Sequence, residues 1–441
     1  MTKSTDKKTI KKRDPSIDLI RVIACLLVVG THVDLMGTGD ATKLLIRLIF
    51  ADGVTLFFIL SGFFFFKKGF KDTLKRTLTG IVLPGVIVML LSYQFAPFIR
   101  DEQTLLFCLT HLNFDIRGFI TDVLSWGGTI RESLAGHLWY IFTYLELVLA
   151  YPLLRPLYTK SVYKQAEDVD KADTCSREQV PDDIDNGVKS GQIYVDKANV
   201  SGSKLKHITT KIYAGDTYCK YRWFIMIFIF VNQIIMDFNM TGLISLCPVQ
   251  ISPFMLYTAP AMLMMIGAEI AIIRGRLEDQ CGKADAHSKM SKGITALIIC
   301  VLTFIVRFFM QRLVFKYNQS QDFYLYWNCA FATIQSTSFV IFVLCMDLRD
   351  NKLVNFVARA GRYTFYVYLL HYAVYYAFYY RVEPDWCFGL IDLTGGYNTM
   401  GKELMHILIR VPTVFLLSLA LSFAVMKTGD VIGGFLKKKK A

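Results

Sequence analysis

Ten stretches of this chain are apolar and long enough to cross a bilayer as helices, which takes roughly 20 residues for about 30 Å of hydrocarbon. They run near residues 17–36, 45–66, 78–98, 138–158, 223–238, 252–273, 294–315, 324–346, 363–380 and 404–426. None shows the two-residue alternation of a membrane β-barrel. Backbone left open in lipid is too costly, so the spans are expected to be helices. The expected fold class is an all-α integral membrane protein of about ten transmembrane helices. Composition agrees. Of 441 residues, 54% are hydrophobic and 19% charged, against roughly 25% charged in soluble domains. A water-soluble globule is excluded.

Lysine and arginine in the short loops set the orientation. With the N-terminus in the cytoplasm, the inside segments 1–16, 67–77, 274–293, 347–362 and 427–441 carry four to six basic residues each. The outside segments 99–137, 239–251, 316–323 and 381–403 carry none to three. Both termini are therefore expected in the cytoplasm. The net charge of +13 is accounted for by this topology and by anionic lipid headgroups. Membrane lipids are expected partners and nucleic acid is not.

The chain divides accordingly into a basic N-terminus (1–16), a first helical block (17–158), a polar insertion (159–222), a second helical block (223–426) and a basic tail (427–441). The insertion holds eleven Lys/Arg and ten Asp/Glu with few large apolar residues. It cannot bury a core and is expected to be largely disordered in the cytoplasm. A signal-peptide reading of the first forty residues fails, because Asp18 and Arg21 interrupt the apolar run. The ten cysteines are scattered without metal or disulfide spacing, and several lie inside apolar runs. No metal site is expected.

Ionisable groups inside spans carry the chemistry. Arg21 and His32 are eleven residues apart, which is 20° off three helical turns and about 16 Å of rise. One face of the first helix thus holds a cation near the cytoplasm and an imidazole farther out, with Asp18 and Cys25 on the same stripe. Asp18 can pair with Arg21 at i,i+3. An interfacial ion pair and a snorkelling histidine fit the same residues. The second span holds the small pair Ser61-Gly62, where another helix or a ligand can approach closely. The fourth opens His137-Leu-Trp139-Tyr140 and buries Glu146. The ninth places Tyr368 and His371 near mid-membrane. Arg307, in the seventh, is expected to pair with Glu146 or with a substrate anion.

Together these segments resemble acyltransferase family 3. Arg21, ten residues, then His32 matches that family's first-helix motif. Gly53-Val54-x-x-Phe57-Phe58-x-x-Ser61-Gly62-Phe63 matches its second. His137-Leu-Trp139-Tyr140 resembles its H-x-W-[FY] element, and Thr364-Phe365-Tyr366 through Tyr368-Leu369-Leu370-His371 resembles its late-helix motif. The resemblance covers most of 17–426 but not the insertion. One departure stands out. The family's Arg-x-x-Arg ahead of a proline reads Lys75-Arg76-Thr77-Leu78-Thr79 here, before Pro84, so the second arginine is missing.

The resemblance implies a multi-pass protein of a bacterial plasma membrane that moves an acyl group, most often acetyl, from cytoplasmic acyl-CoA to a hydroxyl of a surface or lipid-linked glycan. It implies His32 as general base, with an acyl-imidazole as the open alternative, and Arg21 as its partner in orienting the donor. Ser61 and Gly62 would line the donor channel, and Lys71, Lys75 and Arg76 would hold its phosphates. His137, Trp139, Tyr140, Glu146, Tyr368 and His371 would stand on the acceptor side or behind the base. The rival class is a permease or glycan exporter that uses His32 and Arg21 as a proton relay.

Overall fold

Asp14 accepts the Ser16 N–H at 2.9 Å and Pro15 follows it, so the first helix starts with a side-chain cap and a proline at its first position. This helix, α1 (Pro15–Thr31), ends at His32, whose backbone N–H bonds to the Val29 carbonyl at 3.2 Å. In the computed structural model α1 is the central element. It packs against α2 (Asp40–Phe50), α3 (Gly53–Phe65) and four helices from the C-terminal part: α13 (Ala330–Cys345), α14 (Lys352–Ala360), α15 (Thr364–Ala377) and α16 (Met400–Lys438).

The structure describes residues 13–33, 40–100, 103–112, 116–124, 136–158, 217–241, 255–280, 286–318, 329–346, 348, 352–377 and 400–438. Residues 159–216, most of the expected polar insertion, lie outside these, as do both extreme termini. Every described regular element is helical. Between α3 and the C-terminal helices the chain runs through α4 (Phe70–Thr77), a π-helical stretch (Leu78–Val82) and α5 (Leu83–Arg100). Two short helices follow, α6 (Leu105–Thr110) and α7 (Ile116–Leu124), then α8 (Trp139–Leu149) and α9 (Tyr151–Leu154). Three long helices complete the bundle: α10 (Thr217–Met240), α11 (Met255–Gln280) and α12 (Ala286–Asn318).

Five stretches among the described residues are both long and apolar enough to cross a membrane alone: Leu44–Phe65, Phe70–Phe95, Tyr221–Asn239, Ser288–Val314 and Ile407–Gly429. The expected number was about ten. Of the five other expected spans, 252–273 falls in α11, a helix of 26 residues, while α1, α8, α13 and α15 have 17, 11, 16 and 14 described residues. At 1.5 Å per residue these four fall short of the hydrocarbon thickness. The apolar runs extend past the caps at His32 and Ala150 that end α1 and α8, and begin before Cys329, which caps the start of α13. The outward surface of α12 still presents Ile298, Val301, Leu302, Val306 and Phe309 to its surroundings, which suits lipid and not water.

Two contacts set the central packing. A Cβ on Gly62 of α3 would stand 1.9 Å from the Met264 carbonyl oxygen of α11, and a Cβ on Gly267 would stand 1.9 Å from the Ile59 carbonyl oxygen. The backbones of α3 and α11 touch where both helices lack side chains. The second contact is an ion pair. Arg307 of α12 meets Asp52 at 2.6 Å, and both are buried. The expected partners were Glu146 or a substrate anion; in place of Glu146, Asp52 in the turn between α2 and α3 reaches the guanidinium. Glu146 is half-buried, with its Oε2 atom enclosed and unpartnered.

Candidate active site

Three histidines from three separate helical segments converge at one end of α1. His32 is the C-cap residue of α1, His137 lies in the 3-10 turn Gly136–Leu138 that leads into α8, and His371 is on α15. Their ring centroids are 4.7 Å apart for His137–His371, 5.3 Å for His32–His371 and 6.3 Å for His32–His137. Tyr372 completes the group, 4.9 Å from the His32 ring and 5.1 Å from that of His137.

The hydrogen bonds fix two of the tautomers. His137 Nε2–H donates to the Leu369 carbonyl at 3.2 Å, and His371 Nδ1–H donates to the Tyr368 carbonyl at 2.7 Å. A carbonyl only accepts, so His137 keeps a lone pair on Nδ1 and His371 keeps one on Nε2. Both atoms are buried without a partner. His137 and His371 are 3% and 0% exposed, whereas His32 is half-buried. An incoming group therefore meets His32 first. The Tyr368 hydroxyl donates to the His137 carbonyl, which fastens α15 to the turn before α8.

Tyr368 also forms a wall of a cavity of about 260 Å³, together with Arg21, Ser61, Tyr140, Tyr144 and Phe365. A second cavity, of about 360 Å³, shares Ser61, Phe64, Ile81 and Tyr144 with the first. Lys67, Lys68 and Arg76 line its other side. The two spaces adjoin along Ser61, whose hydroxyl is 3.0 Å from that of Tyr140. They make a passage from a basic mouth to Tyr140 and Tyr368; the Tyr368 ring lies 5.5 Å from that of His137, but none of the three histidines is among the residues lining either cavity. Arg21 faces this passage while bonded to Asp18 at 2.8 Å, the expected i,i+3 pair.

Several expected site residues stand elsewhere. Gly62 does not share the lining role of Ser61, because it points at the α11 backbone. Lys71 and Lys75 sit on the exposed face of α4, and only Arg76 of that trio lines the cavity. Trp139 packs against the main hydrophobic core and lines neither cavity. Glu146 lines neither cavity. The sequence reading missed Tyr372, Lys67 and Lys68. Tyr372 follows His371 directly, but in a helix with five tyrosines between 364 and 377 nothing singles it out. Among the described residues no group of three or more His, Cys, Asp or Glu side chains is arranged to hold a metal ion.

The chain matches no curated protein and no solved structure. It does match the model of a protein family, described as an acyltransferase domain, over residues 14–164 and 281–427. The matched residues contain α1, α3, α8 and α15, and so the whole histidine cluster and both cavities, while α10 and α11 lie outside them. With well over half its length matched, the chain belongs to acyltransferase family 3.

Proposed function

We propose that this membrane acyltransferase takes an acyl group, acetyl first among candidates, from acyl-CoA on the cytoplasmic side and transfers it to a hydroxyl of an extracytoplasmic or lipid-linked glycan. The observation that carries this reading is the passage from Lys67, Lys68 and Arg76 past Ser61 to Tyr140 and Tyr368. A donor with an anionic head and a narrow uncharged arm suits such a space. Its phosphates would meet the three basic side chains as point charges or a guanidinium fork. The arm would pass Ser61 and bring the thioester toward the tyrosines and histidines. Arg21 adds a cation along this route, held in place by Asp18.

In the reaction, His32 takes the proton from the acceptor hydroxyl as its oxygen bonds to the acyl carbon. The carbon–sulfur bond breaks, and the thiolate leaves and takes up a proton to become the free thiol. The carbonyl end of α1 offers partial negative charge to the imidazolium formed on the way. His137 and His371 stand behind His32 with lone pairs available to hold or pass that proton. Tyr372 and Tyr376, whose hydroxyls are 3.3 Å apart, extend an aromatic surface from His32 along α15. Such a surface is suited to the apolar face of a sugar ring.

The test is label transfer. Membranes carrying the protein are given acetyl-CoA labelled in the acetyl group, with native envelope acceptors present. Base-labile label on glycan or lipid, lost in His32→Ala, is the expected result. No consumption of acetyl-CoA under these conditions would overturn the transferase and favour a permease.

A further inference from the structure

On the face of α1 turned away from His32 lies a third cavity, of about 340 Å³, between α1, α3, α12 and α13. Its walls are mostly apolar, with Ile23 and Leu27 from α1 and Val301 and Phe304 from α12. Two of its lining residues, Ile49 and Val301, are 46% and 49% exposed. In a membrane helix bundle such a rim opens sideways into lipid. Inside, three polar residues face it: Asp52, Gln335 and Ser336. Gln335 is only 9% exposed, and its Oε1 atom is buried without a hydrogen-bond partner. A buried amide oxygen left unpaired in an apolar setting is costly unless a donor comes to it.

We propose that this cavity binds a membrane lipid of the diacylglycerol class, with an acyl chain against the apolar wall and a free hydroxyl donating to Gln335 Oε1. The lining favours a neutral donor over a phosphate. Asp52 is the charged side chain in the lining, and the guanidinium that pairs with it, Arg307, is not among the lining residues. An anionic headgroup would find no lysine or arginine among the lining residues to receive it. The volume lies within the usual range for small-ligand sites. This site is separate from the acyl-transfer passage and does not depend on how that passage is read.

The experiment uses the full chain in phosphatidylcholine nanodiscs with a diazirine-bearing dioleoylglycerol, followed by photolysis and peptide mapping. Label is expected on peptides containing Ile23–Leu27 and Cys300–Phe304. Excess unlabelled dioleoylglycerol should remove it, and dioleoyl phosphatidate should not. Gln335→Leu should lower the labelling about fivefold, as loss of one neutral hydrogen bond would. Ile23→Phe, which fills the cavity from α1, should lower it independently. Both variants are checked for monodisperse elution, so that a misfolded protein is not read as a negative. Label spread evenly over lipid-facing helices, equal competition by phosphatidate, or unchanged labelling in both folded variants would overturn the proposal.

Discussion

The rings of His137 and His371 lie 4.7 Å apart, each with one nitrogen tied to a carbonyl of α15 and the other left without a partner. Two pre-oriented lone pairs at the back of a half-exposed third histidine make an arrangement for handling protons. They also rank the three. Replacing His32 with Ala should lower acyl transfer by roughly 10²–10⁴-fold while leaving the KM for the donor near its original value. His371→Ala should cost less, because it acts through His32. Steady-state kinetics with labelled acetyl-CoA checks both, and an active His32→Ala protein would sink the assignment.

The same chemistry sets a pH dependence. A general base works only when unprotonated, so kcat/KM should be flat at high pH. It should fall about tenfold per unit once the pH drops below the pKa of the base. His32→Ala should lose this limb along with most of the rate. A profile of the same shape in the residual activity would mean that another group is titrating.

At the other end of the passage, Lys67, Lys68 and Arg76 line the mouth, whereas Lys71 and Lys75 sit on the exposed face of α4. Lys68→Ala or Arg76→Ala should raise the donor KM by about tenfold, near 1.4 kcal/mol, with kcat little changed. The effect should shrink in high salt. Lys71→Ala should do much less. Equal effects from all of these positions would mean a diffuse surface attraction in place of a defined mouth.

The Asp52–Arg307 pair should behave as a unit. Arg307→Leu alone leaves buried carboxylates uncompensated and should cost about 3–5 kcal/mol. The double variant Asp52→Leu/Arg307→Leu should recover much of that loss. Thermal unfolding in detergent, run as a double-mutant cycle, measures the coupling. Additive losses would show that the two charges do not depend on each other.

Gly62 and Ser61 are neighbours with opposite tolerances. Gly62→Ala would drive a methyl group onto the Met264 carbonyl oxygen, an atom of main chain that cannot rotate aside. The folded yield on size exclusion should collapse. Ser61→Ala loses only a hydroxyl contact with Tyr140 and should fold normally, with reduced transfer. A well-folded Gly62→Ala protein would contradict the close contact of α3 and α11.

Local geometry was legible in the sequence and distant geometry was not. The Asp18–Arg21 pair follows from a three-residue spacing, and its bond length here is 2.8 Å. Arg307, by contrast, finds its partner 255 residues away, and no periodicity encodes that choice. The histidine cluster is half-legible. Each imidazole stands out in an apolar run, but their convergence depends on how α1, α8 and α15 pack. Helix lengths were overread because hydropathy runs on through turns. The caps at His32 and Ala150, for example, end α1 and α8 inside longer apolar runs.

The contact of Gly62 with the Met264 carbonyl also limits how the protein can breathe. Helices whose main chains touch over paired glycines have no side-chain cushion between them, so α3 and α11 must shift as a single rigid strut. Any widening that admits a donor or releases a thiol has to happen on the opposite flank of α3, where Ser61 and Phe57 face the tyrosines of α8 and α15. The strut itself comes from α11, a helix outside the family match. In this chain, the least family-like segment braces the most family-like one.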